Sequence, residues 1–575
     1  MYILGIHDGH NSSACLLKDG TIIFAIQEER LTRIKNYWGA PILSIKECLQ
    51  YARLSWADID HIVFAGYQSS HKPFISKSEY MAYTRQMLKK KGFRMNMSRV
   101  YSFLCPQQVG MPERLTYYND LPLAGYSKKS VSAVRHHLCH FATAAFGCDL
   151  YREKDLLVFT VDGFGDGENA SVSVVRGDGS INKIFSIPDA KPFARLYAWV
   201  TVYLGFMHLE HEYKLMGMAP YANRQRAMEM ANLFGSLFEF ADGGWKYKRG
   251  TIKPEVEDCI MYEDIKNICE FKRFDDICAG LQLFSEQMIE RFVAYWIKKT
   301  DIHNIALSGG FFMNVKANHI IMNMAEVEKM FIFPSCGDET NSIGAAYYKY
   351  FEITSQYPHP IKEFTLGNEV SDGDLQDIIR ETCDKEEIIY EYCGDIERTI
   401  AELLHSGEIV ARVKGREEFG ARALGNRSIL ANPSKREVVP IINDMIKSRD
   451  FWMPFAASIL EDDKDKYLDK YTNKYRAYYM IMTYNSRNTS EIIAGTHAKD
   501  KTVRPQIVDE KINPDYYRLL REFKRLSGIG GILNTSFNLH GHPLVHNAKD
   551  AIDVFIRSGL KYLSINNYLL KKSGC

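Results

Sequence analysis

A chain of 575 residues is too long for one hydrophobic core, so roughly two to four domains are expected. With 46% hydrophobic and 25% charged residues it has a globular composition, and a net charge of +1 excludes the global positive field of a nucleic-acid binder. No signal-peptide pattern and no apolar run of ~20 residues occurs, and twelve cysteines are scattered without a CxxC pair, so a reducing, cytoplasmic setting away from membranes is expected.

Residues 2–6 read as a strand, 7–13 as a polar turn, 14–17 as a strand, Lys18-Asp19-Gly20 as a hairpin turn and 21–26 as a third strand. The same grammar returns at 156–161, 162–169, 170–175, Gly177-Asp178-Gly179 and 180–187. Two copies of one hairpin unit, each with a polar turn, suggest two lobes with a ligand between the turns. That is the pattern of the actin, heat-shock-chaperone and sugar-kinase architecture, an α/β class. Residues 305–308 read as a strand, Gly309-Gly310 as a turn and 311–323 as a helix, together an anion site at a helix N-terminus. A strand at 331–334, a loop at 335–342 and a small-residue helix from 343 repeat the idea. The chain turns polar, with Pro and Gly, around 352–372, which divides it into 1–365 and a separate C-terminal α/β domain, 366–575.

Four constellations carry chemistry. In His136-His137-Leu138-Cys139-His140, His136 and His140 are four apart and share one helix face, a spacing that suits a divalent metal. Asp162 and Asp338 are the candidate carboxylates, and three histidines packing a helix is the competing explanation. Cys139 stands inside the cluster. His10-Asn11-Ser12-Ser13 suits an anion or proton transfer, although a satisfied polar turn accounts for it alone. Glu212-Tyr213-Lys214-Leu215-Met216-Gly217 reads as the start of a cleft helix or, more plainly, as a solvated ion pair. The block from Gly415 to Ser428 holds three glycines and three arginines in fourteen residues. Glycine allows close backbone approach and arginine offers a planar fork for phosphate. Glycine, alanine and leucine, rather than aromatics, interleave the basic residues, which favours a phosphate pocket over a nucleic-acid track. Arg504, Gln506, Ser536 and Asn538 read as further walls. No P-loop, nucleophile elbow or protein-kinase signature occurs.

Taken together, His136-to-His140, Glu212-x-Lys214-x-Met216-Gly217-x-Ala219, Gly309-Gly310-x-x-x-Asn314, Asp338 before Ile343-Gly344-Ala345-Ala346, Gly415-Arg416 through Ala431, and Leu533-Asn534-Thr535-Ser536-Phe537-Asn538 resemble the O-carbamoyltransferases of the nodulation-factor and antibiotic-tailoring type. The resemblance spans essentially the whole chain and departs at Asn36, Ala421, Met453, Ala457 and His542. It implies an N-terminal domain similar to the tRNA threonylcarbamoyl transferases and a C-terminal domain similar to the enzymes that make threonylcarbamoyl adenylate. By the same resemblance, carbamoyl phosphate and ATP, with Mg2+, form carbamoyl adenylate in the C-terminal domain. A small hydroxyl-bearing acceptor then takes the carbamoyl group in the N-terminal domain, with no nucleic acid or membrane involved. His136, His140, Asp162 and Asp338 are the implied metal ligands, with iron ahead of manganese or zinc. His10 and Lys35 are the implied catalytic residues. Gly163, Glu212, Lys214, Gly217, Gly309, Gly310 and Asn314 are expected around the adenylate. Lys414, Arg416, Arg422 and Arg427 are expected around ATP and carbamoyl phosphate, as are Arg449, Arg504, Ser536 and Asn538. Residues 68–123 and 234–274 are candidate acceptor loops, and a homodimer is the default assembly. The same motifs also fit a tRNA-modifying transferase or a non-catalytic nucleotide sensor.

Overall fold

The structure, a computed structural model, describes residues 1–70, 108–110, 114–118, 131–188, 193–249, 254–386 and 388–573. Most of the candidate acceptor loop 68–123 and part of 234–274 lie outside these residues. The chain divides into two compact units, Met1–Ile23 with Asn36–Pro360, and Phe24–Lys35 with Ile361–Cys575. Composition alone suggests one division near 365; the contacts put it after Pro360 and also assign residues 24–35 to the second unit.

Apart from Phe24–Gln27 of one edge strand, the first unit contains two five-stranded sheets of one topology. The first runs Thr21–Gln27, Ser13–Lys18, Tyr2–His7, His61–Ala65, Val131–Val134; the second runs Ile181–Pro188, Glu168–Val175, Leu156–Gly165, Asn304–Ser308, Lys329–Ile332. In each, the opening strand pairs antiparallel with its hairpin partner and parallel with the strand that returns later. The repeated hairpin grammar thus corresponds to two α/β sheets of the actin-like, two-lobed kind. Their central strands are buried along almost their whole length, as parallel strands covered on both faces must be. The helices His136–Phe146 and Asn341–Thr354 pack together. Gly344 permits this approach, since a Cβ there would lie 2.1 Å from the Cys139 carbonyl oxygen.

The strand Leu156–Gly165 runs further than the apolar pattern suggests. Its register with the next strand holds to Val161↔Ala170, slips, and resumes at Gly165↔Glu168. Asp162, Gly163 and Phe164 therefore form a bulge rather than an open turn, and a bulge re-aims side chains at a sheet end.

The second unit is built on a mixed eight-stranded sheet in the order Ile388–Tyr392, Tyr568–Lys572, Tyr562–Ile565, Val410–Val413, Arg427–Ala431, Gly531–Ser536, Ala456–Leu460, Pro505–Val508. Side-chain alternation splits its core into two layers. Ala411, Val413 and Ile429 face one layer with Leu375, Ile379, Ile552 and Phe555, while Val410, Leu430 and Ile532 face the other with Ile400, Leu404, Leu519 and Phe523. Helices thus cover both faces. Among the described residues, no helix is long and apolar enough to cross a membrane.

Candidate metal centre and anion pocket

In the first unit the helix His136–Phe146 presents His136 and His140 on one face, one turn apart. Their Nε2 atoms lie 3.1 Å from each other. Asp162 Oδ2, from the bulge, is 2.9 Å from His136 Nε2 and 3.2 Å from His140 Nε2. Asp338 Oδ1, in the turn before the helix Asn341–Thr354, is 3.4 Å from both. One donor atom from each of the four residues falls within 4.8 Å of the others. Burial pulls the His140 imidazole down, but Asp162 and Asp338 outweigh it and push it up to about 9. His136 moves upward for the same reason. Burial favours a neutral Asp162, yet the two imidazoles hold its carboxyl well below the usual range. Two anionic oxygens and two imidazole nitrogens converging on one point fit a divalent cation.

The surroundings fix these donors. The Thr143 hydroxyl is 2.9 Å from Ser308 Oγ, and His140 Nδ1 lies 3.5 Å from that same oxygen. The backbone N–H of His136 donates to Asp166 at 2.7 Å. A Cβ at Gly165 would lie 2.2 Å from His136 Cγ, and one at Gly310 would lie 2.8 Å from Asp162 Oδ1, so both glycines make room for ligands. His137 faces elsewhere, with Nδ1 2.8 Å from the Thr160 hydroxyl, and burial holds it neutral. Cys139 is fully buried, and burial pushes its thiol far up, so it is a packing residue.

His10 lies edge-on to Trp38, their centroids 5.4 Å apart. Burial holds its imidazole down at about 4, against the pull of Asp338 and Asp162, so it is neutral at physiological pH. Glu212 and Lys214 do not form the solvated pair that their spacing suggests. Residues two apart on a helix face different ways; Glu212 accepts from the Leu209 N–H at 2.6 Å, and Lys214 is buried 5.2 Å from the Phe206 ring centroid. Gly217 is buried in the same short helix, Glu212–Met218. Gly163 donates its N–H to Asp162 Oδ1 at 2.7 Å. The segment expected to be helical after Gly309-Gly310 is a 3-10 turn at Gly310–Met313 followed by an α-helix at Val315–Asn323. Asn314 caps this helix by accepting from the Ala317 N–H and exchanges two amide hydrogen bonds with Gln282.

In the second unit the basic residues separate into two groups. Arg427 is fully buried and donates to the carbonyls of His546, Gly415, Asn426 and Asn368. Arg416 donates to the Gly367 and Leu366 carbonyls, and Lys414 pairs with Glu397 and Asp515. Gln506 joins Ser458 and the Leu424 carbonyl. These side chains build the Gly415–Ser428 loop. Glu418 completes it by accepting from the N–H groups of Leu424, Asn426 and Arg427.

The other group is a crowd of cations. Burial, then Arg422 and Arg449, holds the Arg504 guanidinium well below its usual range, and its Nε is buried without a hydrogen-bond partner among the described residues. Burial, then Arg449 and Lys35, does the same to Lys447. Lys447 Nζ donates to Asn538 Oδ1 at 2.6 Å and to Ser536 Oγ at 3.1 Å. Like charges gathered in a desolvated place mark an anion site. Lys35, expected at the transfer centre, is part of this second unit and its charge acts on Lys447. In the sequence Lys447 belongs to a basic run with Arg412, Lys414, Arg416, Arg422, Arg427, Lys435, Arg436 and Arg449, but nothing local distinguishes it from a surface lysine.

A four-donor centre in one α/β unit and a cluster of buried basic side chains in the other are the two chemical constellations of the described residues. The chain belongs to the carbamoyltransferase family: residues 2–347 match the family description "Carbamoyltransferase N-terminus" and residues 401–572 match "Carbamoyltransferase C-terminus". It is 29% identical to an uncharacterised protein of Methanocaldococcus jannaschii over 96% of each chain. It is 29% identical to nodulation protein NolNO of Sinorhizobium fredii, over 98% of this chain and 79% of that one. It is 28% identical to the 3′-hydroxymethylcephem-O-carbamoyltransferase of Amycolatopsis lactamdurans, over 52% of this chain and 54% of that enzyme.

Proposed function

We propose that the protein is an O-carbamoyltransferase acting in two steps. Carbamoyl phosphate and ATP, the latter with Mg2+, give carbamoyl adenylate in the second unit; the first unit passes the carbamoyl group to a hydroxyl of a small natural product or sugar. The first step balances with one water. Carbamoyl phosphate is cleaved to carbamate and phosphate, a carbamate oxygen attacks the α-phosphorus of ATP, and pyrophosphate leaves. Arg422, Arg449 and Arg504, with Lys35 and Lys447, supply the positive field that holds these anions. Ser536 and Asn538, fastened to Lys447, form a polar wall beside it.

In the second step the acceptor oxygen attacks the carbamoyl carbon and AMP leaves. His10, neutral at physiological pH, takes the hydroxyl proton. His136, His140, Asp162 and Asp338 would hold a divalent metal, iron ahead of manganese or zinc. Such an ion supplies Lewis acidity toward a carbamoyl or phosphate oxygen. Glu212, Lys214 and Gly217, with the Gly309-Gly310 turn, shape the adenylate side of the first unit.

The observation that carries this reading is the presence of the four-donor centre and of the cluster of mutually repelling basic side chains in one chain of this family. The test is incubation of the full chain with ATP, carbamoyl phosphate and a divalent metal, without acceptor. Pyrophosphate and a species of carbamoyl adenylate mass are expected. Binding of ATP with neither product would overturn the two-step scheme.

A further inference from the structure

The turn that carries His10 is fastened from far along the chain. His7 Nε2 hydrogen-bonds the His10 carbonyl at 3.0 Å and closes the turn. Gly9 fits because a Cβ there would lie 2.9 Å from His7 Cε1. Between them Asp8 is fully buried, and its carboxylate takes both arms of a fully buried Arg114: Nε to Oδ2 at 3.1 Å and Nη2 to Oδ1 at 2.6 Å. The Tyr118 hydroxyl donates to the same Oδ2 at 3.2 Å. Arg114 also donates from Nη1 to the Gly66 carbonyl at 2.6 Å and from Nη2 to the Ala65 carbonyl at 3.1 Å. Its guanidinium stacks 4.9 Å from the Phe64 ring centroid.

The chain of contacts continues. Immediately after Gly66, the N–H groups of Tyr67 and Gln68 donate to Asp166, at 2.9 and 3.1 Å. Asp166 also accepts the N–H of His136, the first residue of the histidine helix, at 2.7 Å. A buried ion pair contributes little to stability unless its hydrogen bonds are complete, and here the fork is used on four separate acceptor atoms. A lysine could match the charge but not that geometry.

We propose that Arg114 is a positioning residue of the transfer step. Through Asp8 it sets the His10 turn; through Ala65, Gly66 and Asp166 it ties that turn to the helix bearing His136 and His140. The role in transfer rests on the carbamoyltransferase scheme above, whereas the mechanical linkage does not.

The experiment uses the full chain labelled with 13C-histidine, the His10 resonance being assigned by its loss in His10→Gln. Arg114→Lys is expected to move the His10 resonance, and Tyr118→Phe to move it less, while the His546 resonance of the other unit stays in place. Pyrophosphate formation from ATP and carbamoyl phosphate is expected at the wild-type rate in both. An unmoved His10 resonance in folded Arg114→Lys and Tyr118→Phe overturns the linkage. Tyr118→Phe removes one hydroxyl only, so the question stays answerable if the arginine variant fails to fold. Should the wild-type chain form no pyrophosphate, the reaction scheme fails, and the resonance still decides the linkage.

Discussion

The four donors of the metal-type centre owe their places to three local rules. His136 and His140 meet because four residues make about one helical turn. Asp162 meets them because a bulge interrupts the register of its strand. Asp338 meets them from the turn before a helix. Removing one donor leaves three, and His140→Ala should weaken divalent-metal binding about 100-fold or more. Carbamoyl transfer should be lost with it, while pyrophosphate release continues; metal titration and a half-reaction assay check both. Glu212 tests burial rather than chemistry. Burial pushes its carboxyl up from 4.5 to about 7. The folded chain therefore holds a proton that the unfolded chain has lost between these values, and this group's contribution to stability falls as pH rises from 4.5 to 7. Glu212→Gln cannot ionise. Its melting temperature should gain on the wild type across that window and run parallel to it on either side.

At the scale of elements, the hairpin repeat and the histidine helix were legible because alternation and helical spacing are local signals. In the Gly-Gly segment the strand, turn and helical run were legible, but not the division of that run at Asn314 into a 3-10 turn, Gly310–Met313, and an α-helix from Val315. Only the structure reveals why Gly344 is needed inside a helix. Gly344→Ala would press a Cβ onto the Cys139 carbonyl oxygen, 2.1 Å away, and drive two packed helices apart. A loss of about 2 kcal/mol in unfolding free energy is expected by denaturant titration, together with weaker metal binding, because the displaced helix carries both histidines. If stability falls and metal affinity does not, the two helices adjust without moving the donors.

Across the whole molecule, the two sites lie in different compact units, so their defects should separate. Arg504→Ala should reduce pyrophosphate formation on the order of 100-fold, as loss of one preorganised donor does, and leave metal binding in the first unit intact. His140→Ala should give the converse pattern, and a variant of either kind that lost both properties would argue for one coupled site. The sequence by itself determined the α/β class, the internal repeat, the histidine pair with its two candidate aspartates, and the glycine- and arginine-rich block, because each is written in spacing over a few residues. The tertiary structure alone decided which cations are spent on loop carbonyls and which crowd together. Arg416 and Arg427 spend their guanidiniums on carbonyls up to 119 residues away, whereas Arg422, Arg449, Arg504 and Lys447 crowd together. It alone brought Arg114 to Asp8 across 106 residues and gave residues 24–35 to the second unit. The reason is physical: spacing fixes the face on which a side chain lies, but its charge and its work depend on what folding sets opposite that face.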